Sequence, residues 1–142
     1  MPNRLIILML VFVGEFSAVC TADYWAVFRG PRGDGVTNQS LPAQWDADKH
    51  IAWRTEIPGE GWSSPVTAGN RIYLTAAIPT GERDEDQKKQ AYTLSLIILD
   101  AASGKILKTI PIMEQTGERP ARIHRKNSHA SPTPVIEGDR IY

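Results

Sequence analysis

The chain has 142 residues, of which 42% are apolar and 23% charged, a balance that fits one globular domain and excludes a disordered polypeptide. Lys plus Arg equal Asp plus Glu at 16 each, so no net field draws the protein to nucleic acid or to an anionic membrane. Cys20 is the single cysteine, so a disulfide within the chain is excluded.

The first 22 residues read as a signal peptide. Arg4 supplies a positive start, Leu5 to Val13 form a short apolar core, and small residues follow. That core is shorter than the roughly 20 apolar residues a membrane-spanning helix needs. Cleavage after Ala22 would leave a mature chain beginning Asp23-Tyr24-Trp25, with no thiol and no transmembrane helix. The expected location is therefore outside the cytoplasm, in the periplasm or cell envelope. Ser17-Ala18-Val19 fits a lipoprotein signal poorly, and lipidation at Cys20 stays open.

Residues 23–49 read as an irregular N-terminal arm. Tyr24 to Gly35 is broken by Gly and Pro, with Trp25 and Phe28 as expected apolar anchors beside Arg29. Gly30, Gly33 and Gly35 fit neither dinucleotide nor P-loop spacing. Ile51 to Ile57 then alternates Ile51, Trp53, Thr55 and Ile57 against Ala52, Arg54 and Glu56, which predicts a two-faced strand.

An internal repeat follows. Ser64 to Tyr73 (SPVTAGNRIY) returns as Thr133 to Tyr142 (TPVIEGDRIY), with six of ten positions identical at a displacement of 69. In each copy a short strand, near 65 to 67 in the first, runs into Gly69-Asn70 or Gly138-Asp139, a two-residue hairpin turn. The partner strand of the first copy is expected over 71 to 76, and further strands over 92 to 99 and 105 to 112. Between the last two, Asp100 can accept bonds from turn amides and Gly104 can take a left-handed conformation. Pro79 to Gln90 reads as a solvated charged loop, since Asp84, Glu85 and Asp86 lack the calcium-loop pattern.

Four-stranded antiparallel units repeating along an all-β chain suggest a β-propeller. The fold expected over residues 50–142 is an incomplete propeller: one full blade, a closing strand at Ile51 to Ile57 and the start of a next blade. The chain reads as an N-terminal fragment, because it stops inside a strand whose first copy continues Leu74-Thr75-Ala76.

Four motifs carry a resemblance to a known family. They are Trp25-x-x-Phe28-Arg29-Gly30-Pro31, Trp62-Ser63-Ser64-Pro65-Val66, Leu99 to Lys105 (LDAASGK), and Ser131 to Val135 (SPTPV). In these the chain resembles the bacterial pyrroloquinoline-quinone-like (PQQ-like) propeller repeat proteins, a group that includes the outer-membrane assembly lipoprotein. The family signature has Trp four positions after the Gly, to dock on the neighbouring blade. Here that place is Lys108, while the corresponding place in the upstream strand is Trp53.

The resemblance implies an exported, non-catalytic scaffold for protein interaction or envelope assembly, with other proteins as partners. The alternative is the N-terminal part of a quinone-dependent oxidoreductase. No cofactor is evident from the residues, and PQQ enters through the resemblance alone. No catalytic or metal-ligating set can be assigned. The binding candidates are Trp62, Arg122, His124, Arg125, Asn127 and His129, on connectors before each repeat copy. The basic cluster can serve an anion or simply tie the connector down, whereas His124 and His129, five apart without a third ligand, make a weak metal site.

Overall fold

The computed structural model describes residues 24–81, 90–115, 123–124 and 126–142. The expected signal peptide, the acidic loop with Asp84 to Asp86, and Arg122 and Arg125 of the candidate site lie outside these residues. The described residues form an all-β structure without helix. Strands β1 (Val66–Ala68), β2 (Arg71–Thr80), β3 (Ala91–Asp100) and β4 (Ile106–Gln115) make one antiparallel sheet in chain order, and β5 (Ile136–Glu137) pairs with β6 (Arg140–Ile141) in a second.

The hairpin turns explain the register. Ala68 faces Arg71 across Gly69-Asn70. Gly69 has φ 58° while Asn70 stays out of the left-handed region, the pattern of a type II′ turn, whose twist matches that of the flanking strands. The β3–β4 turn is closed from within: Asp100 Oδ1 accepts from the Ser103 amide at 2.8 Å and the Ser103 hydroxyl at 2.7 Å, and Gly104 donates its amide to Asp100 O. Asp100 Oδ2 also accepts from Asn70 Nδ2 at 2.6 Å, so one carboxylate joins the two turns at this end of the sheet. These bonds, that of the Ser103 hydroxyl foremost, hold the Asp100 carboxyl below its ordinary value of 3.8.

Strands β2 and β4 run further than the sequence suggests. β2 continues through Pro79, which pairs with Tyr92. Thr75 and Ala77 direct their N–H groups away from β3, toward Ser63 and Glu60. By alternation position 79 faces the same side, where no further strand lies among the described residues, so a proline removes no ladder bond there. β4 carries Pro111 opposite Ser95 and two register shifts, which leave Leu107 and Ile112 unpaired. Proline, the exposed Lys108 and the two bulges blunt this edge strand against pairing with another chain.

Both faces of the sheet are apolar at its centre, because Leu96, Ile97, Ile98 and Leu99 of β3 are all buried. On one face Val66, Tyr73, Leu96 and Ile98 pack with Ala26 of the arm and Ile136 of β5. On the other, Ala76, Ile97 and Leu99 pack with Ile72, Leu74, Ile78, Ile106 and the incoming Ile57. The second repeat copy and the segment preceding the first thus cover opposite faces.

Two expectations are revised. Ile51 to Ile57 is extended, with Trp53, Thr55 and Ile57 half-buried and Ala52, Arg54 and Glu56 exposed, but it joins no strand ladder. Its two-faced pattern comes from side-chain contacts instead: Trp53 Nε1 donates to Ala101 O at 3.0 Å and Thr55 Oγ1 to Gly104 O at 2.6 Å. In the arm, Trp25 pairs through its backbone with Thr67 and is half-buried, Ala26 and Gly30 are buried, and Phe28 stands exposed. Burial here goes to the residue that fits between two strands, not to the largest side chain nearby.

Gly104 combines φ 70° with a site where an added methyl group would overlap the Trp53 ring and come within 2.7 Å of Thr55 Oγ1. Gly104→Ala is expected to lower stability by roughly 2–4 kcal/mol through backbone strain plus displacement of Trp53. Urea unfolding followed by tryptophan fluorescence measures it; a loss below about 0.5 kcal/mol would show that Trp53 does not depend on this turn.

Candidate functional site

The connectors before the two repeat copies lie side by side. The Trp62 and Ser63 amides both donate to Ala130 O at 3.1 Å, and Trp62 N also reaches Ser128 Oγ at 3.1 Å. Ser64 N donates to Thr133 Oγ1 at 3.1 Å, a bond between equivalent positions of the repeat, 69 residues apart. Thr75 Oγ1 donates to Pro132 O at 2.9 Å and fastens the second connector to β2. A small hydroxyl knot shapes this connector: Ser131 Oγ accepts from Ser128 N at 2.9 Å and donates to Ser128 O at 3.0 Å.

Where the arm meets these connectors, Phe28, Trp62, Ser64, Asn127, Ser131 and Thr133 line a shallow groove of about 480 Å³. Trp62 is 58% exposed and Phe28 57%. The Arg29 guanidinium lies over the Phe28 ring, 5.4 Å from its centroid. Asn127 is held through its backbone, its amide donating to His124 O at 2.7 Å, and His124 Nδ1 accepts from Lys126 N at 3.3 Å.

Of the sequence candidates, Trp62 and Asn127 come together in this groove, and His124 sits exposed behind Asn127. His129 points elsewhere. Its ring stacks on Tyr92 with centroids 4.3 Å apart, and its Nδ1 is 2.9 Å from Gln115 Oε1. Tyr92 and Gln115 are cross-strand partners on β3 and β4, so His129 fastens the connector to the far end of the sheet. Burial lowers its pKa below 6.5, opposed by the charge of Glu60. His129 therefore favours the neutral form and adds little charge to the basic run. Among the described residues no three His, Cys, Asp or Glu side chains gather as metal ligands.

Phe28, Ser64, Ser131 and Thr133 were not expected at the site. Phe28 is expected from the sequence as an apolar anchor of the arm, and its exposure has no local signal. Ser64 and Thr133 occupy matching places in the repeat, which was a usable sign that they meet.

No protein-family model, curated protein or solved structure matches the chain. No helix among the described residues is long and apolar enough to cross a membrane.

A histidine whose pKa is lowered on folding leaves stability intact above 6.5 and removes it as pH falls from 6.5 through the folded value, because the unfolded chain binds the proton more readily. His129→Phe keeps a ring on Tyr92 and cannot protonate. The variant is expected to lose less stability than wild type between about pH 7 and pH 5. Parallel urea curves at the two pH values check this, and identical losses would exclude His129 as the titrating group.

Proposed function

We propose that the chain is the N-terminal part of an exported β-propeller built from PQQ-like repeats, and that it acts as a non-catalytic scaffold for protein interaction or envelope assembly. The observation that carries this reading is the way one repeat meets the next. Equivalent residues of the two copies bond directly, Ser64 N to Thr133 Oγ1. Ile136 of the second copy packs on the same face as Val66 of the first, while Ile57, from the segment before the first copy, packs on the opposite face. Units covered in order on opposite faces are what a ring of blades requires.

Two further features support it. Trp53 occupies the place that the family signature gives to tryptophan, and it bonds the turn of the following unit at Ala101. β4, the last strand of the unit, is exposed along most of its length and blunted by Pro111, as suits the outer strand of a blade that meets solvent. In this reading the exposed Ile112 and Met113 on β4 and Leu41 and Trp45 on the arm lie where further blades or partner proteins would cover them.

The scaffold role is tested with the full chain. Adding pyrroloquinoline quinone with Ca²⁺ is expected to give no saturable change in quinone absorbance and no dye reduction with alcohols or sugars. Either response would make the protein an oxidoreductase. The repeat-to-repeat coupling has its own test: Thr133→Val removes the acceptor for Ser64 N at constant shape and should cost about 1 kcal/mol within a single cooperative unfolding transition. Two separate transitions, with only the second affected, would remove the support for a shared ring.

A further inference from the structure

The groove between the arm and the two connectors has a chemistry that neither packing nor the scaffold reading uses. We propose that it binds the pyranose rings of a neutral saccharide chain.

Four observations converge. First, two aromatic rings, Phe28 and Trp62, stay more than half exposed along one groove. A lone exposed aromatic is ordinary, whereas two in one concavity make a recognition surface. Second, the side chains that line the groove among the described residues are all neutral, with the Arg29 guanidinium beside them over the Phe28 ring.

Third, the backbone amides around it are engaged: Trp62 N and Ser63 N bond Ala130 O, Ser64 N bonds Thr133 Oγ1, and Asn127 N bonds His124 O. A peptide adding as a strand needs a row of free backbone groups, and these four amides are already taken. Fourth, the groups left to recognise a ligand are neutral side chains. Among the described residues the Ser64 hydroxyl and the Asn127 carboxamide have no partner, and Thr133 Oγ1, which accepts from Ser64 N, keeps its own hydrogen to donate.

Ring faces plus neutral hydroxyl and amide groups match the two surfaces of a pyranose. Its C–H face carries partial positive charge and lies on the negative face of an aromatic ring, and its rim of hydroxyls both donates and accepts. Trp62 supplies the main platform and Asn127 the fixed polar contact. Phe28 is steadied by Arg29 and offers a second place to stack, which suits a chain of sugars better than a single one.

The 142-residue chain, ¹⁵N-labelled, is titrated with cellohexaose, chitohexaose and maltohexaose to about 10 mM while the tryptophan indole and backbone N–H signals are followed. With at least one sugar the Trp62 signal is expected to shift saturably. The signal of Trp45, exposed on the arm away from the groove, is expected to stay in place. Read from the Ser64 backbone amide signal, Trp62→Ala should weaken binding about 10-fold or more, and Asn127→Ala about 3- to 10-fold. Both side chains are exposed, so both variants should keep the wild-type strand spectrum.

No saturable shift at Trp62 with any of the three sugars overturns the proposal, and so does undiminished binding by Trp62→Ala. An equal response to a neutral (Gly-Ser)₅ peptide makes the groove a peptide site and overturns it as well. Because the quinone titration reads a different ligand, failure here and failure of the scaffold role remain separate results.

Discussion

A strand that is apolar on both of its faces cannot stand at the surface, and β3 is such a strand. Leu96 and Ile98 look one way, Ile97 and Leu99 the other, and all four are buried. Each fully buried side chain of this size contributes roughly 1.5–3 kcal/mol, so neither side of the sheet can be left to water. A single antiparallel hairpin solves this by exposing one face; here both faces need a cover. The rest of the structure follows from how the two covers are supplied.

One cover is made from two pieces brought in from far along the chain: Ala26 of the arm and Ile136 of the second repeat copy. The arm threads between the two copies. Trp25 exchanges backbone bonds with Thr67 of the first, while Ala26 O accepts from Ile136 N of the second. Thr67 and Ile136 are equivalent repeat positions, so the arm bonds the same place in both units. The other cover is a single segment, and its fixing is different in kind. Trp53 and Thr55 bond the carbonyls of Ala101 and Gly104, so the segment is held by the β3–β4 turn and not by a ladder. Asp100, which organises that turn, also reaches Asn70 in the β1–β2 turn. The segment is therefore anchored at the end of the sheet where both hairpins are locked.

The sheet itself was legible in the sequence. Gly-Asn and Gly-Asp turns mark the hairpins, the run from Tyr92 to Leu99 marks the central strand, and Asp100 with Gly104 marks its turn, because each is a local signal with a local cause. What was misread depended on distance. The alternation of Ile51 to Ile57 was read correctly as two faces from Trp53 to Ile57, though Ile51 is exposed, and incorrectly as ladder pairing, since the same period arises whenever an extended chain lies on an apolar surface. Pro79 was read as the start of a loop and sits inside β2, because a proline's tolerance in a strand depends on what lies alongside. Of the site, the sequence showed Trp62 and Asn127 but placed His129 with them. Only the register that sets Tyr92 opposite Gln115 explains why His129 turns to the sheet.

The groove follows from the same constraint. It lies where the arm and two connectors come together, and they come together because one face of β3 must be covered by residues from both repeat copies. Its walls carry the bond that joins those copies, Ser64 N to Thr133 Oγ1. The residues between Asn127 and Thr133 satisfy their polar groups largely within the connector and against its neighbour, through the Ser128–Ser131 knot and the carbonyl of Ala130. With the backbone so fully bonded, Trp62 has no role in closing the core, yet its position is fixed by two hydrogen bonds at its own amide. With its backbone held, Trp62 has only two side-chain torsions left to order on meeting a ligand, which makes it a suitable surface for recognition.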